Sequence, residues 1–430
     1  MSDASRPILF TFLGAGRYEE AIYEVDAAGK PFEHRTKFAP VATASFLRPQ
    51  EVRLFLTEGA KGQHGEAIER ELQALSITVR PVPIPDGRGL AEWWGIFEAI
   101  VREARATEGV PLAFDITHGF RHFPILGLLA AAFLQSAYRV ALGGIFYGAY
   151  EMRRAGGEGE PPRVPLLDLT PMLELLQWAV AADRFRRQGD ARDLAELLKR
   201  LKGEIGRQGE REAAGHLNHL INGLEGLSLA LLLIRPLEGM TSAAWLGGRM
   251  DEAGGSLRNA AERWPGLRPL LAIWEQMQAF QEFTLKDPLA HPEEFLRTGL
   301  RLARWYVEHD LGVQAVTWVR EWLVTYAMVQ KGISGPDLVR RGEREGVEHN
   351  LNSEARRYRE AEDRGSYRSR WFREVPEDRW RQFLELWLQA ADLRNDLDHA
   401  GMREEPRKAS DLQGEIRKLV EKLEAFYGAK

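Results

Sequence analysis

Cysteine does not occur among the 430 residues. Its absence excludes disulfide scaffolds, cysteine zinc sites and thiol catalysis. A basic surplus is missing as well: 58 lysines and arginines face 63 aspartates and glutamates, for a formal net charge of −5. That balance excludes a protein that coats nucleic acid through a broad positive field, but not a small focused site acting on it. HExxH and comparable ligand spacings are absent, so no metal site is expected. His216 and His219 stand three apart without a third ligand, and His291 precedes Pro292 and reads as a loop residue. No apolar run reaches the roughly 20 residues needed to span a bilayer. The best, Phe123 to Ala137, is bracketed by Arg121 and Arg139 and reads as a buried helix. The opening MSDASRPILF has neither a basic leader nor a long apolar core, so no signal peptide is expected there. With 44% hydrophobic and 28% charged residues, the chain reads as a folded cytoplasmic protein.

What is present is two patterns in succession. A chain of this length suggests two or three domains. From Pro7 to about Leu169, short apolar runs alternate with amphipathic stretches. Strands are expected at Ile8–Leu13, Val52–Thr57, Ile77–Ile84, Leu112–Ile116 and Tyr138–Tyr147, and helices at Gly65–Leu75, Leu90–Ala106 and near Phe123–Ala137. Glu20–Val25 and Pro31–Phe38 flank Ala27-Ala28-Gly29-Lys30 as a β-hairpin. Gly156 to Pro162 reads as the flexible tip of a late hairpin. Strands separated by helices imply a Rossmann-like parallel sheet with right-handed crossovers. After Pro171 the strand signals stop. Met172–Arg187, Ala191–Lys202, Glu210–Leu233, Met250–Ala261, Leu267–Phe283 and Pro292–Val307 carry apolar residues at helical spacing. The fold class is therefore α/β followed by all-α, with boundaries near 170 and, more softly, near 295. Residues 340 to 381 hold 12 arginines against 10 carboxylates, which reads as a solvated, salt-bridged helical face rather than an RNA patch. Trp305, Tyr306, Trp318, Trp322 and Tyr326 recur at helical spacing and read as core or dimer interface.

Two constellations carry chemistry. In an open parallel sheet, ligands bind beyond the carboxyl ends of the strands. The loops there read Gly14-Ala15-Gly16, Thr57-Glu58-Gly59, Asp115-Ile116-Thr117-His118-Gly119-Phe120-Arg121 and Tyr147-Gly148-Ala149. Glycines let backbone N–H groups approach a phosphate, and helix N-termini add a favourable dipole. Thr117 and His118 can donate hydrogen bonds and Arg121 supplies charge, which suits a phosphate-bearing nucleotide. A nicotinamide enzyme is disfavoured, because position 19, where the dinucleotide fingerprint needs a third glycine, is Glu19. For His118 a capping or buried role stands beside the ligand-binding one.

The second constellation is Arg394-Asn395-Asp396-Leu397-Asp398-His399, near the end of a helix that starts around Glu377 and is closed by Gly401 and Pro406. Cutting RNA without metal needs an activated 2′-hydroxyl, a stabilised phosphorane and a protonated leaving oxygen. Histidine shuttles protons near neutral pH and arginine holds phosphate charge bidentately, while Asn395 can orient either. Positions five apart lie about 140° apart on a straight helix. The chemistry is easier if the helix ends at His399 or if two copies meet. The competing reading is a surface histidine with the arginine paired to Asp392, Asp396 or Asp398.

Together the two constellations resemble the CRISPR-associated ancillary ribonucleases that join a CARF sensor to a HEPN nuclease. The resemblance rests on Phe12 to Tyr18, Thr57 to Ala60 and Asp115 to Arg121 in the first half. In the second it rests on Gln314 to Glu321 and on Arg394-Asn395…His399. It implies a sensor over 1–170, a helical connecting region over 171–295 that matches no motif, and a HEPN domain over 296–430. It further implies a homodimer that binds a cyclic oligoadenylate, tetra-adenylate favoured over hexa-adenylate, and then cuts single-stranded RNA. Arg394, Asn395 and His399 would be catalytic. Gly14, Ala15, Gly16, Tyr18, Thr57, Asp115, Thr117, His118, Gly119, Phe120, Arg121, Tyr147 and Gly148 would hold the activator. Two alternatives remain open: an inert sensor recruiting a protein partner, and a ring-opening phosphodiesterase centred on Thr117 and His118.

Overall fold

The computed structural model describes residues 6–27, 30–107, 109–364, 367–369, 371, 377–402 and 406–428. Its first strand, β1 (Ile8–Leu13), is buried along its whole length, as a strand covered on both faces must be. Successive side chains alternate between two cores. Phe10 and Phe12 join Phe55, Phe114 and Phe123 on one face; Leu9 and Leu13 join Leu54, Leu56, Ile68 and Leu72 on the other.

After β1 the elements run β2 (Ala21–Ala27), β3 (Lys30–Thr36), α1 (Ala39–Leu47), β4 (Glu51–Leu56), α2 (Glu58–Ala60), a π-helical turn (Lys61–Gly65), α3 (Glu66–Ala74), β5 (Thr78–Pro83), α4 (Leu90–Arg105), β6 (Leu112–Asp115), α5 (His122–Tyr138), β7 (Leu142–Gly148) and β8 (Arg163–Asp168). The eight strands form one sheet in the order β3-β2-β8-β7-β6-β1-β4-β5. Strands β7, β6, β1, β4 and β5 pair in parallel. The expectation of a parallel sheet needs correcting at the other end. The pairs β2–β3 and β7–β8 are antiparallel, so the sheet is mixed. The expected hairpin is there, though Ala28 and Gly29 of its turn lie outside the described residues. The late hairpin exists too, with Arg154 bridged to Arg163, the first residue of β8.

The remaining elements are helical: α6 (Thr170–Gln188), α7 (Arg192–Arg207), α8 (Arg211–Leu232), α9 (Pro236–Arg263), α10 (Arg268–Ala272), α11 (Trp274–Gln278), α12 (Pro292–Glu308), α13 (Gly312–Gln330), α14 (Arg341–Glu360), α15 (Glu377–Asp398) and α16 (Ala409–Gly428). The continuous helix expected over Leu267–Phe283 is instead three short pieces, α10, α11 and a 3-10 turn at Ala279–Phe283. Pro269 sits at the start of α10, where it leaves no amide hydrogen unbonded. The chain divides between Gln177 and Trp178 into two compact units. The second has one continuous core from Trp178 to Phe426, and Trp305, Tyr306, Trp318, Trp322 and Tyr326 are all inside it. The exposed side of α14 carries the ion pairs Arg341–Glu345 and Arg356–Glu360. Among the described residues no helix is long and apolar enough to cross a membrane.

Candidate functional site

Strand order reverses beside β1. After β1 the chain places β2 and β3 at the far edge, then adds β4 and β5 on one side of β1 and crosses back to lay β6 on the other. The crevice beyond the carboxyl ends of β1 and β6 is thus the topological switch point, the place where open α/β sheets bind ligands. Two expected loops meet there. A Cβ built on Gly14 would fall 2.9 Å from the Cα of Gly119, so the two backbones are in direct contact. Gly119 adopts φ +107, and a Cβ there would strike Phe123 at 2.5 Å. Only glycine meets both demands. Tyr18 folds back over the first loop: its hydroxyl accepts from the Gly14 N–H (3.1 Å) and donates to the Gly14 carbonyl (2.9 Å). Its ring lies 4.1 Å from that of His118.

Beneath these loops is a buried polar frame. Asp115 is fully buried, and burial pushes its carboxyl up to about 6, against hydrogen bonds from Thr43 and Thr117. The Thr117 N–H donates to Asp115 Oδ1 (3.0 Å), and the Thr117 Oγ1 accepts from the Gly148 N–H (2.8 Å). His118 is 8% exposed, and its Nε2 accepts from the Ala39 N–H (3.1 Å) at the start of α1. Burial, with a smaller contribution from nearby His64, brings its imidazole down to about 3. Of the two roles open to His118 in the sequence, capping is the one this geometry displays. The ring is uncharged at neutral pH, and the Thr117 hydroxyl is bonded at both its hydrogen and its oxygen. In this structure the pair frames the crevice, with the His118 Nε2 held by the Ala39 N–H and the Thr117 Oγ1 by the Gly148 N–H. Thr57 is buried and caps α2 by accepting from the Ala60 N–H (3.2 Å). The Tyr147 hydroxyl donates to Glu151 (2.8 Å), and burial, then Glu151, pushes it up to about 12.

The expected ligand residues therefore sort into two layers. Gly14, Tyr18, Thr57, Asp115, Thr117, His118, Gly119, Tyr147 and Gly148 shape the crevice, whereas Ala15, Gly16, Phe120 and Arg121 are exposed along it. Sequence reasoning missed His64, carried on the π-helical turn. Its Nε2 donates to the Gly16 carbonyl (2.7 Å), and its ring lies 4.9 Å from that of Tyr18. The available signal was its place in the loop that begins at Thr57, seven residues on.

In the second unit, α15 ends at Asp398, and Ala400 (φ +49) and Gly401 (φ +71) turn the chain away. The Gly401 N–H closes the cap on the Asp396 carbonyl (3.2 Å). Arg394 Nε lies 3.1 Å from Asp398 Oδ2, the pairing that competed with a catalytic role in the sequence. Asn395 and His399 are exposed, and the His399 N–H donates to the Asn395 carbonyl (3.1 Å). Arg394 and His399 are thus neighbours at a helix end, the first half-buried and paired with Asp398, the second exposed. Sequence reasoning also missed Arg407. It pairs with Asp392, with buried Asp396 (3.1 Å) and with Glu415 (3.1 Å). The three aspartates that flank the motif in sequence share two arginines, Asp392 and Asp396 with Arg407 and Asp398 with Arg394, which offsets part of their repulsion of a polyanion.

Among known proteins, no family model matches the chain. A 114-residue stretch is 28% identical to the CRISPR-associated protein MJ1674 of Methanocaldococcus jannaschii. That match covers 26% of this chain and 17% of the relative, so the chain spans under a fifth of the curated protein it resembles. Among solved structures, it is similar to Enterococcus italicus Csm6 bound to cyclic hexa-2′-fluoro-hexa-dAMP, at 10% identity and a TM-score of 0.43, over 99% of this chain and 94% of that one.

Proposed function

We propose that the chain is an ancillary protein of type III CRISPR defence, a cyclic oligoadenylate-gated endoribonuclease. The reading rests chiefly on one observation: the Gly14 and Gly119 loops touch across the β1/β6 switch point, with exposed Gly16 and Arg121 beside them. Backbone N–H groups and a guanidinium in that position suit a phosphodiester ring. The partial likeness to a CRISPR-associated protein agrees with it. Residues 1–170 would be the sensor, 171–295 a helical connection and 296–430 the nuclease. Tetra-adenylate is the first activator to try and hexa-adenylate the second.

In the nuclease, His399 would take the 2′-hydroxyl proton as that oxygen attacks phosphorus. Arg394 would leave Asp398 to hold the pentacoordinate phosphate, with Asn395 orienting it, and the His399 imidazolium would pass the proton on to the departing 5′-oxygen. The products would be a 2′,3′-cyclic phosphate and a 5′-hydroxyl. A homodimer would bring two such helix ends together.

The test uses the full chain, labelled single-stranded RNA, and both cyclic oligoadenylates, with and without EDTA. RNA cleavage is expected only with activator and should survive EDTA. His399→Ala should abolish cutting, by at least about a hundredfold if general acid–base catalysis is lost, while activator affinity stays within threefold. Full activity in that variant sinks the catalytic assignment. Activator binding with no cleavage by the wild-type chain instead favours an inert sensor that recruits a partner, a reading to which the Arg394–Asp398 pair lends weight.

A further inference from the structure

Beside the phosphate-facing loops stands a group of rings that this reading leaves without a role. Phe120 is 42% exposed on the β6–α5 loop, next to exposed Arg121. Its ring lies parallel to that of His122, with 6° between planes and 5.8 Å between centroids. His122 in turn lies 6.0 Å from Trp93, itself 42% exposed near the start of α4.

The group is held rigidly. The turn after β5 is fixed where Glu92 accepts from the Gly87 and Arg88 N–H groups (2.8 Å each) and the Trp93 indole N–H donates to the Gly87 carbonyl (2.5 Å). Gly87 adopts φ +75, and a Cβ there would fall 2.3 Å from His122 Nε2. The imidazole is thus seated on bare backbone, with that nitrogen buried and unbonded. Phe123 stands edge-on to both Phe120 and His122. Even with these contacts Phe120 leaves 42% of its surface in solvent. It offers a flat apolar face beside a guanidinium.

We infer that Phe120, supported by His122 and Trp93, is the purine-stacking platform of the switch-point site. The inference rests on the proposed nucleotide ligand and goes further by assigning base selection to this ladder. Phosphates would take the Ala15 and Gly16 amides and Arg121, while one adenine lies on Phe120. Aromatic rings hold nucleobases by stacking, and the larger purines stack more strongly than pyrimidines.

The test measures affinity of the full chain for the cyclic oligoadenylate that the wild type binds and for cyclic tetra-uridylate, by calorimetry. Phe120→Leu keeps the apolar bulk and removes the stack. It should weaken oligoadenylate binding by at least about tenfold, the size expected for one lost base stack, and uridylate binding by less than threefold. Phe120→Trp should stay within threefold of wild type or bind more tightly, which keeps the idea testable if the leucine variant folds poorly. Unchanged oligoadenylate affinity in Phe120→Leu overturns the inference. So does equal weakening toward both rings, which would mean the loop had merely shifted. So does a fall in particle mass on ultracentrifugation without ligand, which would make Phe120 a contact between copies. If the wild type binds no cyclic oligoadenylate, the proposed function fails first and this assignment falls with it.

Discussion

Two buried residues of the switch-point frame titrate in opposite senses. Asp115 keeps its proton up to about pH 6, where the unfolded carboxyl would lose it near 3.8. Its contribution therefore favours folding most below about 3.8 and is lost as pH rises through 6. His118 refuses a proton until about pH 3, where the unfolded imidazole takes one near 6.5. Its contribution is intact above 6.5 and is lost as pH falls. Between about 4 and 6 the two slopes, each about 1.4 kcal/mol per pH unit, oppose one another. Asp115→Asn should remove one of them. On acidification from pH 6 to 4, the variant's urea-unfolding stability should then fall more steeply than wild type by about that slope. Identical slopes in the two proteins would show that the carboxyl is ionised in the fold. Asp115 and His118 were both legible as site residues, but their burial was not. A strand-end Asp-x-Thr-His string reads alike whether it faces a ligand or the start of a helix, and here the helix concerned, α1, was itself unseen.

That omission has a cause at the level of elements. Helix α1 reads APVATASFL, and seven of its nine residues are buried. A helix covered nearly all round has no polar face, so the 3.6-residue rhythm that revealed α3 and α4 is absent. The central strands were legible for the opposite reason, since short apolar runs between turn signals admit few alternatives. Likewise the strand-end glycines were recognisable in the sequence, but their mutual contact depends on β6 returning beside β1. This contact gives a paired prediction. Gly14→Ala places a methyl 2.9 Å from the Gly119 Cα, and neither backbone can rotate away; the nearest atom to a Cβ on Gly16 is in Tyr18, at 3.9 Å. Overpacking of this kind costs about 1–3 kcal/mol, or about 2–4 °C of melting temperature per kcal/mol in a unit of this size. Gly14→Ala should melt earlier by that amount and bind activator at least about tenfold more weakly. Gly16→Ala should melt with the wild type. Equal melting temperatures for all three proteins would contradict the contact.

For the whole molecule, the proposed homodimer would need a contact surface, and α5 offers one. Ile125, Leu129 and Phe133 of α5 are spaced four apart and exposed at 60%, 54% and 42%. They form one apolar stripe on the helix that begins at the Phe120–Arg121 loop. Contiguous exposed apolar surface of this sort commonly marks a contact, and a symmetric dimer is its simplest occupant. Leu129→Glu should convert a dimer to a monomer in sedimentation and, with it, abolish activated cleavage. A dimer of unchanged stability would place the contact elsewhere. This level was the least legible in the sequence. Exposure of an apolar residue depends on which neighbours cover its helix, and the run from Phe123 to Ala137 announces only that it is apolar.

The seating of β2 next to β8 bears on how the chain reaches this state during synthesis. The β2–β3 hairpin leaves the ribosome before β8, yet Ile22 takes its parallel partner from Arg163. At ordinary elongation rates of about 5–20 residues per second, that partner follows roughly 7–30 s later. Throughout that interval the nascent hairpin carries a row of unmatched amides and carbonyls, open to a chaperone or to the same hairpin on a neighbouring nascent chain.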